Sequence, residues 1–190
     1  MKKDVKKITR LAILCALSIT LLYLVRFPII PAASFLVYEP ADVPILIGTF
    51  MYGPLAGLAM TGIVALIQAL TTESVKDGWF GFAMHVMATG TLVMVAGMIY
   101  KKMHTFKGAI FALIAGALSM TFIMIPANLF LTPLFYGMPF NVVKGLLLPA
   151  IIPFNLLKSF INSAIVLLAY KSLAKVLRKE GLFHKKHPIN

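Results

Sequence analysis

Acidic residues are scarce in this 190-residue chain: Asp and Glu number 6, against 18 Lys and Arg. Charged residues of both signs reach only 13%, about half the usual share in a soluble domain. The one cysteine, Cys15, lies inside an apolar run, so there is no disulfide framework and the residue reads as a small packing group. No G-x-x-x-x-G-K-[ST] string is present, which excludes a phosphate-loop ATPase. Neither an H-E-x-x-H string nor a Cys/His cluster supports a metal, and no pair of carboxylates sits in an apolar run for proton coupling. His85 stands alone in a long apolar run and reads as a hydrogen-bonded packing group rather than a ligand or relay. Catalytic residues are not expected.

What the chain has instead is apolar length. Hydrophobic residues make up 60% of it and the mean hydropathy is +0.92, with no polar domain between the apolar runs. This is the composition of one all-α integral membrane domain over 1–190. A basic flank (Lys2, Lys3, Lys6, Lys7, Arg10; segment 1–10) precedes a run from Leu11 to Val25. No A-x-A site follows that run, so it reads as an uncleaved first helix rather than a signal peptide. Ala12 and Ala16 lie four apart on one face of it, a small-xxx-small pair that permits close helix contact.

Phe27 to Ala41 contains Pro28, Pro31 and Pro40, which break any continuous helix. A second helix then starts at Asp42-Val-Pro, with Asp42 as N-cap, and Gly53-Pro54 ends it. Val43 to Tyr52 is ten residues, about 15 Å of helix against a hydrocarbon core of about 30 Å. A half-length helix after a long loop points to a pocket, because irregular backbone at that depth must be buried in protein or line a cavity. Further spans run over Pro54–Leu70, Gly81–Tyr100, Gly108–Leu131 (kinked at Pro126) and about Leu146–Tyr170. Loops are expected at Thr71–Phe80 and Thr132–Lys144, and a basic tail over 171–190, frayed near its end.

Fourteen of the 18 basic residues fall in the N-terminal flank, the Lys101–Lys107 turn and the tail, while Arg26, Lys76, Lys144 and Lys158 fall on the other side. Six membrane helices with both termini cytoplasmic satisfy the positive-inside rule. The net charge of +12 is therefore a topology signal, with lipid and not nucleic acid as its partner. The unusual polar residues Asp42, Asn128, Asn155 and Lys158 all lie toward the outer half, so the site opens outward.

Asn155 and Lys158 are the strongest of these. Three residues apart, they share one face of the last helix. A lysine in the middle of a membrane helix costs roughly 2.5–3.5 kcal/mol on insertion scales, which marks it as a functional group facing protein or water. The alternative is a lysine that snorkels to the headgroups. Amides, one lysine and proline-shaped loops suit binding a polar planar molecule better than breaking a bond.

The strings Ile151-Ile-Pro-Phe-Asn155-Leu-Leu-Lys158 and Asp42-Val-Pro-Ile-Leu-Ile-Gly-Thr-Phe-Met-Tyr-Gly-Pro-Leu-Ala-Gly57 now carry a resemblance. With Asn128, Pro133-Leu-Phe-Tyr-Gly-Met138 and the Ala12/Ala16 pair, the chain resembles the substrate-binding (S) components of energy-coupling factor (ECF) vitamin importers, and among them the riboflavin-specific branch. The resemblance covers nearly all of the chain. It implies a non-enzymatic subunit in the cell membrane, with no cofactor of its own, that captures riboflavin as transported ligand. It also implies partners: a transmembrane scaffold docked on Ala12 and Ala16, and two ATPases. Asn155, Lys158, Asn128, Asp42, Tyr38, Glu39 and Tyr136 are the residues it implies for the ligand. An asparagine amide matches the donor and acceptor edge of the flavin ring, Lys158 donates to a ring carbonyl or nitrogen, and Asp42 accepts from ribityl hydroxyls or caps its helix. Tyr38, Trp79, Phe135 and Tyr136 either cover the ring or anchor at the interface. An S component for another heterocyclic vitamin, an intramembrane lipid-modifying enzyme and a standalone facilitator are the alternative readings.

Overall fold

A computed structural model describes residues 2–30, 33 and 36–179, and for 2, 3, 76, 171, 173, 174 and 176–179 the backbone only. Helix α1 (Lys2–Leu24) leads into a two-stranded ribbon, β1 (Phe27–Pro28) antiparallel to β2 (Val37–Tyr38), with Phe27 opposite Tyr38. Then follow α2 (Asp42–Tyr52), α3 (Pro54–Thr71), α4 (Val75–Lys102), α5 (Phe106–Tyr136), α6 (Phe140–Leu146) and α7 (Ile152–Lys179). Among the described residues, five helical stretches are long and apolar enough to cross a membrane; α6 and α7 together form the last of them, over Phe140–Tyr170. The sixth, α2, is an apolar helix of 11 residues, short as expected. Helices dominate because lipid leaves the backbone no other hydrogen-bond partner.

The Gly53-Pro54 junction shows why α2 is short. Gly53 has φ 93°, a conformation that favours glycine, and Pro54 opens α3 where its missing N–H costs nothing. Three positions on, a Cβ at Gly57 would collide with Thr49 Oγ1, so glycine there brings α3 directly against α2. The string G-P-x-x-G is thus a turn followed by a close helix contact.

Three boundaries differ from expectation. The loop expected at Thr71–Phe80 is already helix from Val75, because Ser74 caps α4 by accepting from the Asp77 N–H at 3.3 Å. The expected loop Thr132–Lys144 is mostly helix: α5 continues past Pro126 and Pro133 to Tyr136 and stops where Gly137 turns left-handed at φ 66°. Then α6 starts at Phe140. The tail from Lys171 continues α7 as far as Lys179, and the end expected to fray, residues 180–190, lies outside the described residues. Between α6 and α7, Leu147–Ile151 is a π-helical segment in which the Ile152 N–H bonds Leu147 O, five residues back. Pro149 and Pro153 each remove a donor for the carbonyl four residues before it, which favours that widening.

The interior forms two apolar clusters. The larger joins α1 to α5 and α7 through residues such as Leu22, Ile45, Phe50, Met60, Leu92, Tyr100, Met120 and Tyr170. The smaller packs Leu36 and Tyr38 on Val143, Ala150, Ile151 and Phe154. Cys15 is a buried free thiol within the larger cluster. At one end of the bundle Phe50 stacks on Tyr100 with ring centroids 4.1 Å apart, and the Tyr100 and Tyr170 hydroxyls meet at 3.1 Å. Arg10 Nη1 donates to Tyr52 Oη at 3.4 Å, and Lys7 Nζ lies 5.7 Å from the centre of that ring. Basic residues of the first helix therefore gather at the end where α2 turns into α3.

Candidate functional site

A cavity of about 200 Å³ lies between the two clusters. It takes Ala88, Met120 and Met124 from the larger and Leu36 and Phe154 from the smaller. Arg26 and Asp77, both exposed, mark its mouth. The cavity is at the end of the bundle opposite the Tyr100–Tyr170 contact.

Lys158 projects from α7 into this cavity and is buried, 8% exposed. Its Nζ donates to Glu39 Oε1 at 2.8 Å. The cation is therefore paired inside the protein and does not snorkel to the headgroups. Glu39 also lines the cavity, so the ion pair ties the segment before α2 to the last helix. Asn155 lines the cavity one turn before Lys158, and its Nδ2 donates to Ile151 O at 2.8 Å. On α5, Asn128 does the same toward Met124 O at 2.8 Å. Because a backbone carbonyl only accepts, each amide nitrogen is held against its own helix. Thr132 Oγ1 approaches Asn128 Oδ1 at 3.5 Å. Both asparagines, Lys158, Glu39 and Tyr136 are thus brought together around one space.

Asp42 and Tyr38 are placed elsewhere. Asp42 is fully buried and is not among the residues lining the cavity. It does not cap α2 as expected: Ala41 holds the N-cap position with no side-chain bond. Its carboxylate instead ties helices together, Oδ1 accepting from Thr89 Oγ1 at 2.7 Å and Oδ2 from Asn162 Nδ2 at 3.0 Å. Those partners lie 47 and 120 residues away in sequence, which no local pattern reveals. Tyr38 is buried beside this network, its hydroxyl donating to Asn162 Oδ1 at 2.9 Å and its ring 5.4 Å from Phe27. Burial, and next the Asp42 carboxylate, push its phenol above the ordinary value, so it remains a donor.

Of the other aromatics, Phe80 lines the cavity and packs on Phe135 and Tyr136. Trp79 is half-exposed, packs on Phe82 and does not line the cavity. Sequence reasoning missed Arg26, Gln68, Thr72, Asp77 and Thr89 as cavity residues, and it took His85 for packing although His85 lines the cavity. The available signal was helical spacing: Gln68 and Thr72 are four apart at the end of α3, and His85 and Thr89 four apart on α4. Each pair puts two polar groups on one face of an apolar helix. Among the described residues no group of three His, Cys, Asp or Glu could hold a metal. The Glu39 carboxylate is paired with Lys158 at 2.8 Å.

A multi-span membrane protein with a buried polar cavity open at one end is, as a class, a solute-binding membrane subunit. The chain belongs to the family of substrate-specific components of ECF transporters, whose family model matches residues 6–170. It is 32% identical over 182 residues to the riboflavin transporter RibU of Staphylococcus aureus (strain TCH60), covering 92% of this chain and 93% of that protein. It is 25% identical over 187 residues to the riboflavin transporter FmnP of Bacillus subtilis (strain 168), covering 95% and 98%. A solved structure described as "Structure and mechanism of the S component of a bacterial ECF transporter" superposes with a TM-score of 0.79 at 30% identity, over 92% of this chain and 98% of that one. The protein is accordingly a multi-pass membrane subunit of an ECF-type transporter, a family of transport components and not of enzymes.

Proposed function

We propose that this chain captures riboflavin from outside the cell and delivers it inward as the binding subunit of an ECF importer. The observation that carries the reading is the cavity itself. Amides and one lysine (Asn128, Asn155, Lys158) stand around an apolar surface of Met120, Met124 and Phe154, in a chain 32% identical to a protein named a riboflavin transporter. The flavin ring is planar and apolar over its face, with a uracil-like edge that reads acceptor, donor, acceptor. With its nitrogen held by Ile151 O or Met124 O, Asn155 or Asn128 offers Oδ1 to the ring N–H, and Lys158 donates to a flanking carbonyl. Glu39 holds the Lys158 ammonium in place, and Tyr136 closes the mouth beside Phe80.

Energy comes from partners, a transmembrane scaffold and two ATPases, because this chain has no phosphate loop. Ala12 and Ala16, both exposed on α1, support docking of the scaffold on that face. Gathering of Lys7 and Arg10 at the α2–α3 turn supports a cytoplasmic position for that end and an outward cavity. Titration of the detergent-purified protein with riboflavin, read by flavin fluorescence, tests the reading. Saturable quenching at one site per chain is the expected result, and its absence overturns the proposal.

A further inference from the structure

Polar groups on α3 and α4 also face the cavity. Gln68 and His85 both line the cavity, on helices other than those that carry the two asparagines and Lys158. His85 is 7% exposed and its Nδ1 lies 3.2 Å from Gln68 Oε1. Gln68 turns its amide oxygen to His85, which accepts from Nδ1 when that nitrogen carries the ring proton. The amide nitrogen is then turned away from the ring. It faces Gly81, where a Cβ would lie 3.9 Å from Gln68 Nε2, and Gly81 is itself a cavity residue. Glycine at 81 leaves that nitrogen uncovered.

The His85 Nε2 is buried without a hydrogen bond and lies 3.7 Å from Asp42 Oδ1, the carboxylate oxygen that also accepts from Thr89.

We propose that Gln68 is a ligand-binding residue that donates its amide N–H groups to the oxygens of a polyhydroxylated chain, and that His85 is its positioning residue. The inference rests on the riboflavin reading, which sets the ring edge against Asn128, Asn155 and Lys158, and it adds that the ribityl chain lies along α3 and α4. Thr72 and Thr89, one turn beyond Gln68 and His85, line the same wall, their hydroxyls donating to Gln68 O and Asp42 Oδ1. The α3–α4 wall reads the sugar-alcohol chain and is indifferent to the ring.

Riboflavin and lumiflavin, which has the same ring with a methyl group in place of the ribityl chain, separate the two sides. The purified full chain is titrated with each. Gln68→Leu is expected to weaken riboflavin about ten- to a hundredfold, the range for a lost buried hydrogen bond, and to leave lumiflavin unchanged. His85→Leu is expected to behave likewise. His85→Asn, whose amide nitrogen replaces Nδ1, is expected to restore riboflavin affinity. Unchanged lumiflavin binding in each variant certifies that the ring site is folded. Equal losses for both flavins, or no loss for either, overturn this proposal while the riboflavin reading stands. A wild-type chain that binds neither flavin overturns the riboflavin reading and this inference with it.

Discussion

The two ends of the bundle are built from the same helices by opposite rules. At the end where α2 turns into α3, side chains are small or aromatic and interlock: Phe50 on Tyr100, Tyr100 against Tyr170, and Gly97 of α4 pressed on the turn. At the other end α4 and α7 carry His85, Thr89, Asn155 and Lys158 around a space that apolar side chains do not fill. Helix packing in lipid gains little from hydrophobicity and much from close van der Waals contact. One end therefore supplies the fixed scaffold, which lets the other hold polar groups around an open cavity.

The difference is sharpest along α4, where two glycines test it. A Cβ at Gly97 would lie 2.7 Å from Thr49 Cγ2 and 2.9 Å from both Pro54 Cα and Cβ, so a side chain there must move backbone. Gly97→Leu is expected to cost about 3 kcal/mol or more, read as loss of monodisperse protein after heating in detergent. At Gly81 the nearest atom is 3.9 Å away. Gly81→Ala should be neutral or raise the melting temperature, because alanine favours a helix over glycine by about 1 kcal/mol. Equal melting of the two variants would erase the distinction between packed and open ends.

Within the open end, removing a polar group should cost ligand and not fold. Asn155→Ala is expected to weaken riboflavin roughly five- to a hundredfold, with melting little changed, by fluorescence titration of the purified variant. Lys158→Ala should lose as much affinity and in addition leave Glu39 buried without its cation. Its melting should therefore fall below that of Asn155→Ala. Wild-type affinity in both variants would remove these residues from the site.

How the open end admits a ligand is the next point of contrast. The cavity of about 200 Å³ is smaller than the roughly 300 Å³ at which pockets for drug-sized ligands begin. Leu36, Val37 and Glu39, from the segment before α2, form one wall of it, so that segment is the part expected to move. A cysteine at Val37, in a Cys15→Ser background, should react with an external thiol reagent without riboflavin and be protected with it. Equal labelling in the two conditions would make the wall as fixed as the packed end.

The short α2 was legible in the sequence because it rests on local rules: proline and glycine positions, and ten apolar residues between breaks. Asn155 and Lys158 were legible because a polar pair at helical spacing is costly in an apolar run unless it meets a buried partner or a ligand. Asp42 was misread as a cap because its partners sit on α4 and α7, and contacts across a bundle leave no mark in neighbouring residues. His85 was set aside although Thr89, four residues on, shares its helix face, and its partner Gln68 comes beside it only when α3 packs on α4. The start of α4 was available and overlooked: Ser74-Val-Lys-Asp77 carries a serine three residues before an acid, the pattern of a helix N-terminus.

The smallest effect expected on the isolated protein is the most informative for transport. Ala12 and Ala16 are exposed on α1, the span with the smallest buried share among those described, 17%. Neither residue is among those that line the cavity, so bulk at these positions should leave ligand binding untouched. A partner helix would feel it at once, since small residues are what let two helix backbones approach within lipid. Ala12→Trp and Ala16→Trp are accordingly expected to bind riboflavin as the wild type does in detergent and to abolish uptake by cells that express them at normal levels. Surviving uptake in both variants would move the docking face away from this stripe. Loss of binding together with uptake would show that the alanines serve the packing of this chain, and the open end would then depend on α1 in a way its exposed face does not suggest.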